Sequence, residues 1–298
     1  MSESHEPVLV TGATGKQGGA TARALLAAGT PVRALVRDID SPAARELAAL
    51  GAQLAVGDFD APESLARAAT GVRAVLVVPP AAYGPDGWDV DLEARRGIAV
   101  VEAARRAGAR QLVFTGIASF DHEGSWGTEG KRRIERAVAA SGLRWTALRP
   151  VRFMENYLMR GFPVDGIHHG VHRHLFPADR PIQMIAVADV AAFAALAFAD
   201  PDRFHGRTLE LAGDAHPMPE AAAIIARATG HPIRYEEIGE AEAATLGEEI
   251  AAVRRHSRAG AGWHADLDAL RVIHPGLRTL ETWLAETGAA RLKSLLAD

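Results

Sequence analysis

Cysteine is absent from the chain, which excludes a disulfide framework, a thiolate metal centre and a cysteine nucleophile. Lysine is nearly absent: only Lys16, Lys131 and Lys293 occur, so arginine carries almost all the positive charge. Tyrosine stands only at positions 83, 157 and 235. Formal net charge is −4 with no long run of one sign, which leaves no basic footprint for nucleic acid. No apolar run approaches the ~20 residues that span a bilayer. The polar, acidic opening MSESHEP lacks the basic-then-apolar order of a signal peptide. The expectation from these absences is a cytoplasmic protein that engages neither nucleic acid nor membrane directly. The remaining balance, 48% hydrophobic and 23% charged over 298 residues, suits one large globular domain or two smaller ones.

Short apolar runs alternate with amphipathic stretches through the first half. PVLVT (7–11), PVRALV (31–36), AQLAVGD (52–58), VRAVLVVPP (72–80), QLVFTG (111–116) and LRWTALRP (143–150) read as strands. The stretches 16–29, 41–51, 61–71, 91–108 and 128–141 have helical spacing; in 41–51, Ser41 is the expected N-cap, Pro42 the first helical residue and Gly51 the stop. Strands apolar on both faces and separated by helices predict a parallel sheet covered on both sides. Right-handed crossovers then give an α/β, doubly wound Rossmann-type sheet, with its ligand beyond the carboxyl ends of the strands. The functional addresses are therefore 11–18, 37–38, 58–59, 79–90, 116–131 and 150–157.

After Pro150 the pattern loosens. The stretch 161–181 reads as loop, 187–201 as helix, 207–213 as strand, and the remainder as mostly helical. The expected organisation is a nucleotide-binding domain over 1–155 and a smaller, mainly helical substrate-side lobe over 156–298, intertwined with the first.

VTGATGKQGG (10–19) places glycines at 12, 15 and 18, between a strand and a helix. Gly12 suits a tight turn, Gly15 lets backbone approach a pyrophosphate, and Gly18 lets the helix pack closely. With Thr14, Lys16 and Gln17 they form the expected phosphate cradle, where free N–H groups and the helix dipole favour anions. At the end of the second strand, LVRDID presents Arg37 to the 2′-phosphate of NADP. Asp38 follows and offers the alternative, a carboxylate for the free ribose hydroxyl of NAD. Asp58 and Phe59, after the third strand, are candidate adenine contacts; their other reading is a turn aspartate and a core ring.

These segments resemble those of the NmrA-like family, atypical members of the extended short-chain dehydrogenase superfamily. The likeness is carried by VTGATGKQGG, Arg37, GDFD (57–60), RRGIAVVEAARRAGARQLVFTG (95–116), EGKRRIERAVAASGLRWTALRP (129–150) and FMEN (153–156). MIAVADVAAFAALAFADP (184–201) and LRVIHPGLRTLETWL (270–284) extend it through nearly the whole chain. The resemblance implies NADP(H) on a Rossmann domain with a small variable C-terminal lobe. It also implies one of three roles: NADPH-dependent reductases of quinones and dyes, reductases of phenolic metabolites, and non-catalytic sensors of the NADPH/NADP ratio. Lys131 falls on the family's lysine position, which implies a hold on the nicotinamide ribose.

The tyrosine that standard superfamily members carry four residues before that lysine is missing: Gly127 stands there, and each tyrosine is followed four residues on by glycine. Ketone reduction needs a proton delivered as hydride arrives. A quinone instead becomes a stabilised phenolate that solvent can protonate. Ser119, His122, Tyr83 and Tyr157 are substitute donors without a partner at motif spacing, so no catalytic residue is assigned. Tyr83, Trp88, Trp126, Phe153 and Asn156 are candidates to line the cleft of a flat aromatic or quinoid small molecule. The proline-led loop 79–89 is a candidate lid. HHGVHRH (168–174) is read as polar surface, with no metal. Two functions stay open: an NADP(H)-dependent reductase of a quinone or similar conjugated acceptor, and an NADPH/NADP sensor acting on a regulatory protein partner.

Overall fold

The first apolar run becomes β1 (Val8–Val10), buried at every residue, and the glycine turn after it opens directly into α1 (Lys16–Ala27). The same step recurs as β2 (Val32–Val36), α2 (Pro42–Ala49), β3 (Gln53–Val56), α3 (Pro62–Ala69) and β4 (Ala74–Val77). Pro42 and Pro62 open their helices, where a missing N–H costs no intrahelical bond. The structure, a computed structural model, describes residues 6–80, 82–84, 87–120, 128–161 and 164–297.

Beyond β4, the segment expected as a lid contains a short antiparallel hairpin, β5 (Tyr83–Gly84) with β6 (Gly87–Trp88). Then come α4 (Val90–Arg106), β7 (Gln111–Thr115), α5 (Thr128–Ala139) and β8 (Arg144–Pro150). Asp89 caps α4 by accepting a hydrogen bond from Leu92 N at 2.8 Å. Further on lie β9 (Arg152–Phe153), β10 (Ile167–His168), β11 (Val171–His174), β12 (Pro181–Ile185), α6 (Val187–Ala199), α7 (Pro201–Phe204) and β13 (Arg207–Leu211).

The central sheet has the order β13-β8-β7-β4-β1-β2-β3. Every pairing from β8 across to β3 is parallel. The chain leaves β1 through β2 and β3, then returns to set β4 on the other side of β1. The sheet order therefore reverses between β1 and β4, and in such sheets that crevice takes the ligand. β4 and β7 are wholly buried, as strands covered on both faces must be. Leu9, Val75, Leu112 and Phe114 of the sheet pack with Val100 of α4 and Ile134 of α5. This is the doubly wound α/β fold expected from the alternation.

The chain divides into two compact units. One runs to Ile117 and adds α5, β8 to Arg149, and Val190–Leu209; the other holds Pro150–Asp189 and the chain from Glu210 onward. The second unit is completed by β14 (Asp214–Pro217), α8 (Met218–Thr229), β15 (Arg234–Glu237), α9 (Glu240–Thr245), α10 (Glu248–Ala259), α11 (Leu267–Ile273), α12 (Leu280–Trp283) and α13 (Ala289–Leu296). Its strands form two three-stranded sheets, β10-β11-β15 and β14-β12-β9. Met154, Phe176, Met184, Ile225, Leu280 and Trp283 belong to its core.

The loop expected over 161–181 is corrected by β10, β11 and the start of β12. In β11 burial alternates, with His172 and His174 inward. Histidines on the inward face hide the period-two signal from a reading that looks for apolar residues.

Candidate functional site

At the carboxyl end of β1, Thr11 ties the two strands that flank the reversal. Its hydroxyl donates to Leu76 O at 2.9 Å and accepts from Val78 N at 2.9 Å. Gly12 then takes φ +60°, and a Cβ there would meet Val78 Cβ at 3.3 Å. Gly15 N donates to Gly12 O at 2.9 Å, closing the turn. A Cβ on Gly18 would lie 2.3 Å from Gly12 O and 2.6 Å from Thr11 O, so the helix start touches the turn's own backbone.

Gly15 is the N-cap of α1 and supplies no side-chain acceptor, and the first turn holds no acidic residue. The leading N–H groups of a helix have no intrahelical partners. Here they are left for an outside anion, with Thr14, Gly15 and Lys16 exposed around them. Gln17 Oε1 is buried without a hydrogen-bond partner among the described residues. The turn therefore fits a pyrophosphate by the same glycine geometry that sequence spacing implied.

Arg37 follows β2 directly, is exposed, and makes no hydrogen bond or ion pair among the described residues. Asp38 is committed to its own turn: Oδ1 accepts from Asp40 N at 2.8 Å, and its carbonyl accepts from Ser41 Oγ. Ser41 thus spends its hydroxyl on the turn and does not cap α2 by side chain, contrary to expectation. Asp58 is likewise a turn residue, with Oδ1 accepting from Asp60 N at 2.8 Å. Phe59 is half-buried against the core of the sheet unit.

Lys131 sits in the first turn of α5, and Glu93 in the first turn of α4. Gly97 and Gly130 let these helices approach: a Cβ on Gly97 would lie 2.3 Å from Ile134 Cδ1, and one on Gly130 2.5 Å from Glu93 Oε2. Lys131 Nζ donates to Glu93 Oε1 at 2.7 Å; the two side chains are 14% and 0% exposed. Trp88 Nε1 donates to Glu93 Oε2 at 3.3 Å, and Lys131 Nζ lies 4.2 Å from the Trp88 ring centroid. One face of Trp88, expected to wall a substrate, is thus taken by the ammonium. Burial pushes the Glu93 carboxyl up against the pull of Lys131, and pushes the Lys131 ammonium down against the pull of Glu93.

Glu93 escaped sequence reading. The signal was an acidic residue on the stripe Glu93, Gly97, Val100, Val101, Ala104, the buried face of α4.

In the second unit Tyr157 is fully buried, with its ring 4.3 Å from the Arg152 guanidinium carbon. It belongs to this unit's core, and burial pushes its hydroxyl pKa up. Asn156 Nδ2 donates to Asp165 Oδ2 at 3.4 Å, and Phe153 is half-buried on β9. Glu155 of the FMEN segment accepts from Val187 N and Trp283 Nε1, a fastening of this unit's core. Ser119 N donates to the Glu210 carboxylate. Trp126, His122 and the side chain of Tyr83 lie outside the described residues.

The histidine cluster is not simply polar surface. His172 and His174 are buried: His174 Nε2 lies 3.2 Å from Asp165 Oδ1, which also accepts from Arg152 Nε at 2.6 Å. Among the described residues these histidines form no metal-ligating group. Asp214, His216 and Glu281 are the residues whose ligand atoms lie within 4.8 Å of one another.

Comparison with known proteins points the same way as the turn. The profile of the NmrA-like family matches residues 4–265. A NAD(P)H azoreductase of Xenophilus azovorans is 33% identical over 236 residues, covering 78% of this chain and 77% of that one. A (4-alkanoyl-5-oxo-2,5-dihydrofuran-3-yl)methyl phosphate reductase of Streptomyces griseus is 34% identical over the same length and shares. Among solved structures, an NADPH-dependent quinone oxidoreductase of Escherichia coli superposes with a TM-score of 0.73 at 26% identity, over 93% of this chain and 98% of that one.

Proposed function

The chain belongs to the NmrA-like family, and from that premise we propose that it is an NADP(H)-dependent reductase passing hydride to a quinone or similar conjugated acceptor. The observation that carries the reading is the uncapped start of α1 behind Gly12, Gly15 and Gly18, at the point where the sheet order reverses. Backbone N–H groups of that turn, with Thr14, Lys16 and Gln17, would hold the pyrophosphate. Arg37 would pair with the 2′-phosphate, its planar guanidinium standing exposed at the end of β2. Asp58 and Phe59 would border the adenine, and Lys131 would hold the nicotinamide ribose. When bound, NADPH supplies the hydride; everything else asked of the chain is to bind, orient and exclude water.

The acceptor class follows from what is missing. No tyrosine precedes Lys131 at motif spacing, and the second unit's Tyr157 is buried. An acceptor whose reduced form is a stabilised anion needs no dedicated acid at the moment of transfer. The relatives' names fit: an azo dye reductase, a quinone reductase, and a reductase of an alkanoyl dihydrofuranone, which is a conjugated carbonyl. The substrate is accordingly a small molecule, flat and quinoid or aromatic.

The missing tyrosine also favours a second reading, a sensor that binds NADPH without turnover. NADPH fluorescence, followed before and after adding a panel of quinones and enones, separates the two. Binding followed by decay with an acceptor supports the reductase and names its class. Binding that persists against the whole panel supports the sensor.

A further inference from the structure

We propose that Glu93 is a positioning residue of the cofactor site, aiming the Lys131 ammonium and fastening the β5–β6 hairpin to it. The proposal rests on the reading of Lys131 as a cofactor contact and names the group that acts through it. Glu93 has no exposed surface, yet both its carboxylate oxygens are engaged: Oε1 by Lys131 Nζ at 2.7 Å, Oε2 by Trp88 Nε1 at 3.3 Å. A buried carboxylate is costly unless paired and hydrogen-bonded, so the three side chains hold one another in a single arrangement.

Lys131 has three donors, and one is fixed on Glu93. With the ring of Trp88 on another side, its remaining freedom is narrow. A long flexible side chain becomes a charge at a set place, which spares binding the cost of ordering it. The hairpin is held by the same carboxylate, because Trp88 closes β6 opposite Tyr83. The close approach of α4 and α5 at Gly97 and Gly130 is what allows this depth. Burial acts on the pair in opposite senses, lowering the Lys131 pKa and raising that of Glu93. Each is therefore the charge that keeps the other ionised.

The test is a double-mutant cycle read by NADPH binding: fluorescence titrations of wild type, Glu93→Gln, Lys131→Met and the double variant, each with a thermal melt. Glu93→Gln should weaken NADPH binding by about tenfold or more, the worth of one charge-assisted hydrogen bond. Glu93→Asp should recover part of that affinity. In the Lys131→Met background, Glu93→Gln should change NADPH affinity little, because its route of action is gone. A loss that is additive in the two backgrounds, or no loss with a lowered melt, makes Glu93 a packing residue and overturns the proposal. If Glu93→Gln fails to fold, Glu93→Asp and the double variant, which leaves neither charge buried alone, still complete the comparison. Wild-type affinity in Lys131→Met would instead overturn the assignment of Lys131, and absent NADPH binding in wild type the cofactor reading itself.

Discussion

Replacing Arg37 by glutamate tests the proposed cofactor assignment at the residue expected to separate the two dinucleotides. Arg37 is exposed at the end of β2 and makes no ion pair among the described residues, so the substitution breaks nothing in the folded chain and stability should be unchanged. A charge-assisted hydrogen bond is worth about 1.5–3 kcal/mol. Two unit charges 4 Å apart near a surface interact by about 1–4 kcal/mol. Losing the bond and adding modest repulsion at an exposed site gives about 3 kcal/mol in total, roughly 150-fold in NADPH affinity. NADH lacks the 2′-phosphate and should bind within about twofold of wild type. Raising the salt concentration should shrink the wild-type preference for NADPH, because an exposed charge pair is screened. Fluorescence titration of both nucleotides against wild type, Arg37→Glu and Arg37→Gln provides the measurement, with glutamine expected to fall between the other two. Equal loss for NADH and NADPH would mean that Arg37 acts on the turn and not on the phosphate. No loss for either would remove it from the site.

Gly18→Ala places a Cβ 2.3 Å from Gly12 O; forced backbone shifts of this kind cost about 1–3 kcal/mol, and the variant should melt earlier and lose stabilisation by NADPH, whereas a Gly15→Ala Cβ meets Gly12 O at 3.2 Å and should be milder. Asp165→Asn removes the carboxylate that accepts from buried Arg152 at 2.6 Å, so denaturant unfolding should show a loss of about 3–5 kcal/mol; a loss under 1 kcal/mol would mean water reaches the guanidinium. His216 donates to Asp214 at 3.0 Å and faces Glu220 at 3.1 Å, contacts that raise its pKa above the ordinary imidazole value. Its contribution to stability is therefore fully present below pH ~6.5 and is lost as pH rises through the folded value. His216→Gln should cost most near pH 5.5 and least near pH 9 in denaturant midpoints, and a gap constant with pH would refute the assignment.

The sheet was legible because its strands from Val8 to Pro150 are short and mostly apolar, with a helical stretch between each successive pair, even though β3 at the sheet edge is largely exposed. The second unit was less so, and β11 shows why. Its inward residues are histidines, His174 bonded to Asp165 and His172 set against Arg152 and the rings of Tyr157 and Tyr235, so its buried face carries imidazoles and not aliphatic side chains. In the glycine turn the tight backbone that the spacing predicts at Gly12 and Gly18 is present, because glycine's role there is set by local geometry. The partner of Lys131 was not legible. Glu93 lies 38 residues before it, on another helix, and only the packing of α4 on α5 brings them together.

That packing explains a choice of residue type that composition alone only hinted at. The chain uses arginine for almost every cation, yet keeps lysine at position 131. The space there is bounded by the Glu93 carboxylate, the face of Trp88 and a helix contact so close that even a Cβ on Gly130 would lie 2.5 Å from Glu93 Oε2. A planar guanidinium, with its fork of five donors, needs more room and more acceptors than this recess offers. A compact ammonium satisfies the buried carboxylate with one bond and keeps donors in reserve. The same depth bears on the absent tyrosine. Its usual lysine partner is already paired with a carboxylate of opposite charge, so a phenol beside it would meet a neutralised pair in place of a bare cation. Positive charge nearby lowers a phenol's pKa, and a paired carboxylate offsets that pull. With Glu93 in place, Lys131 suits the holding of a cofactor better than the tuning of an acid, and an acceptor that needs no tuned acid is the one such a site can serve.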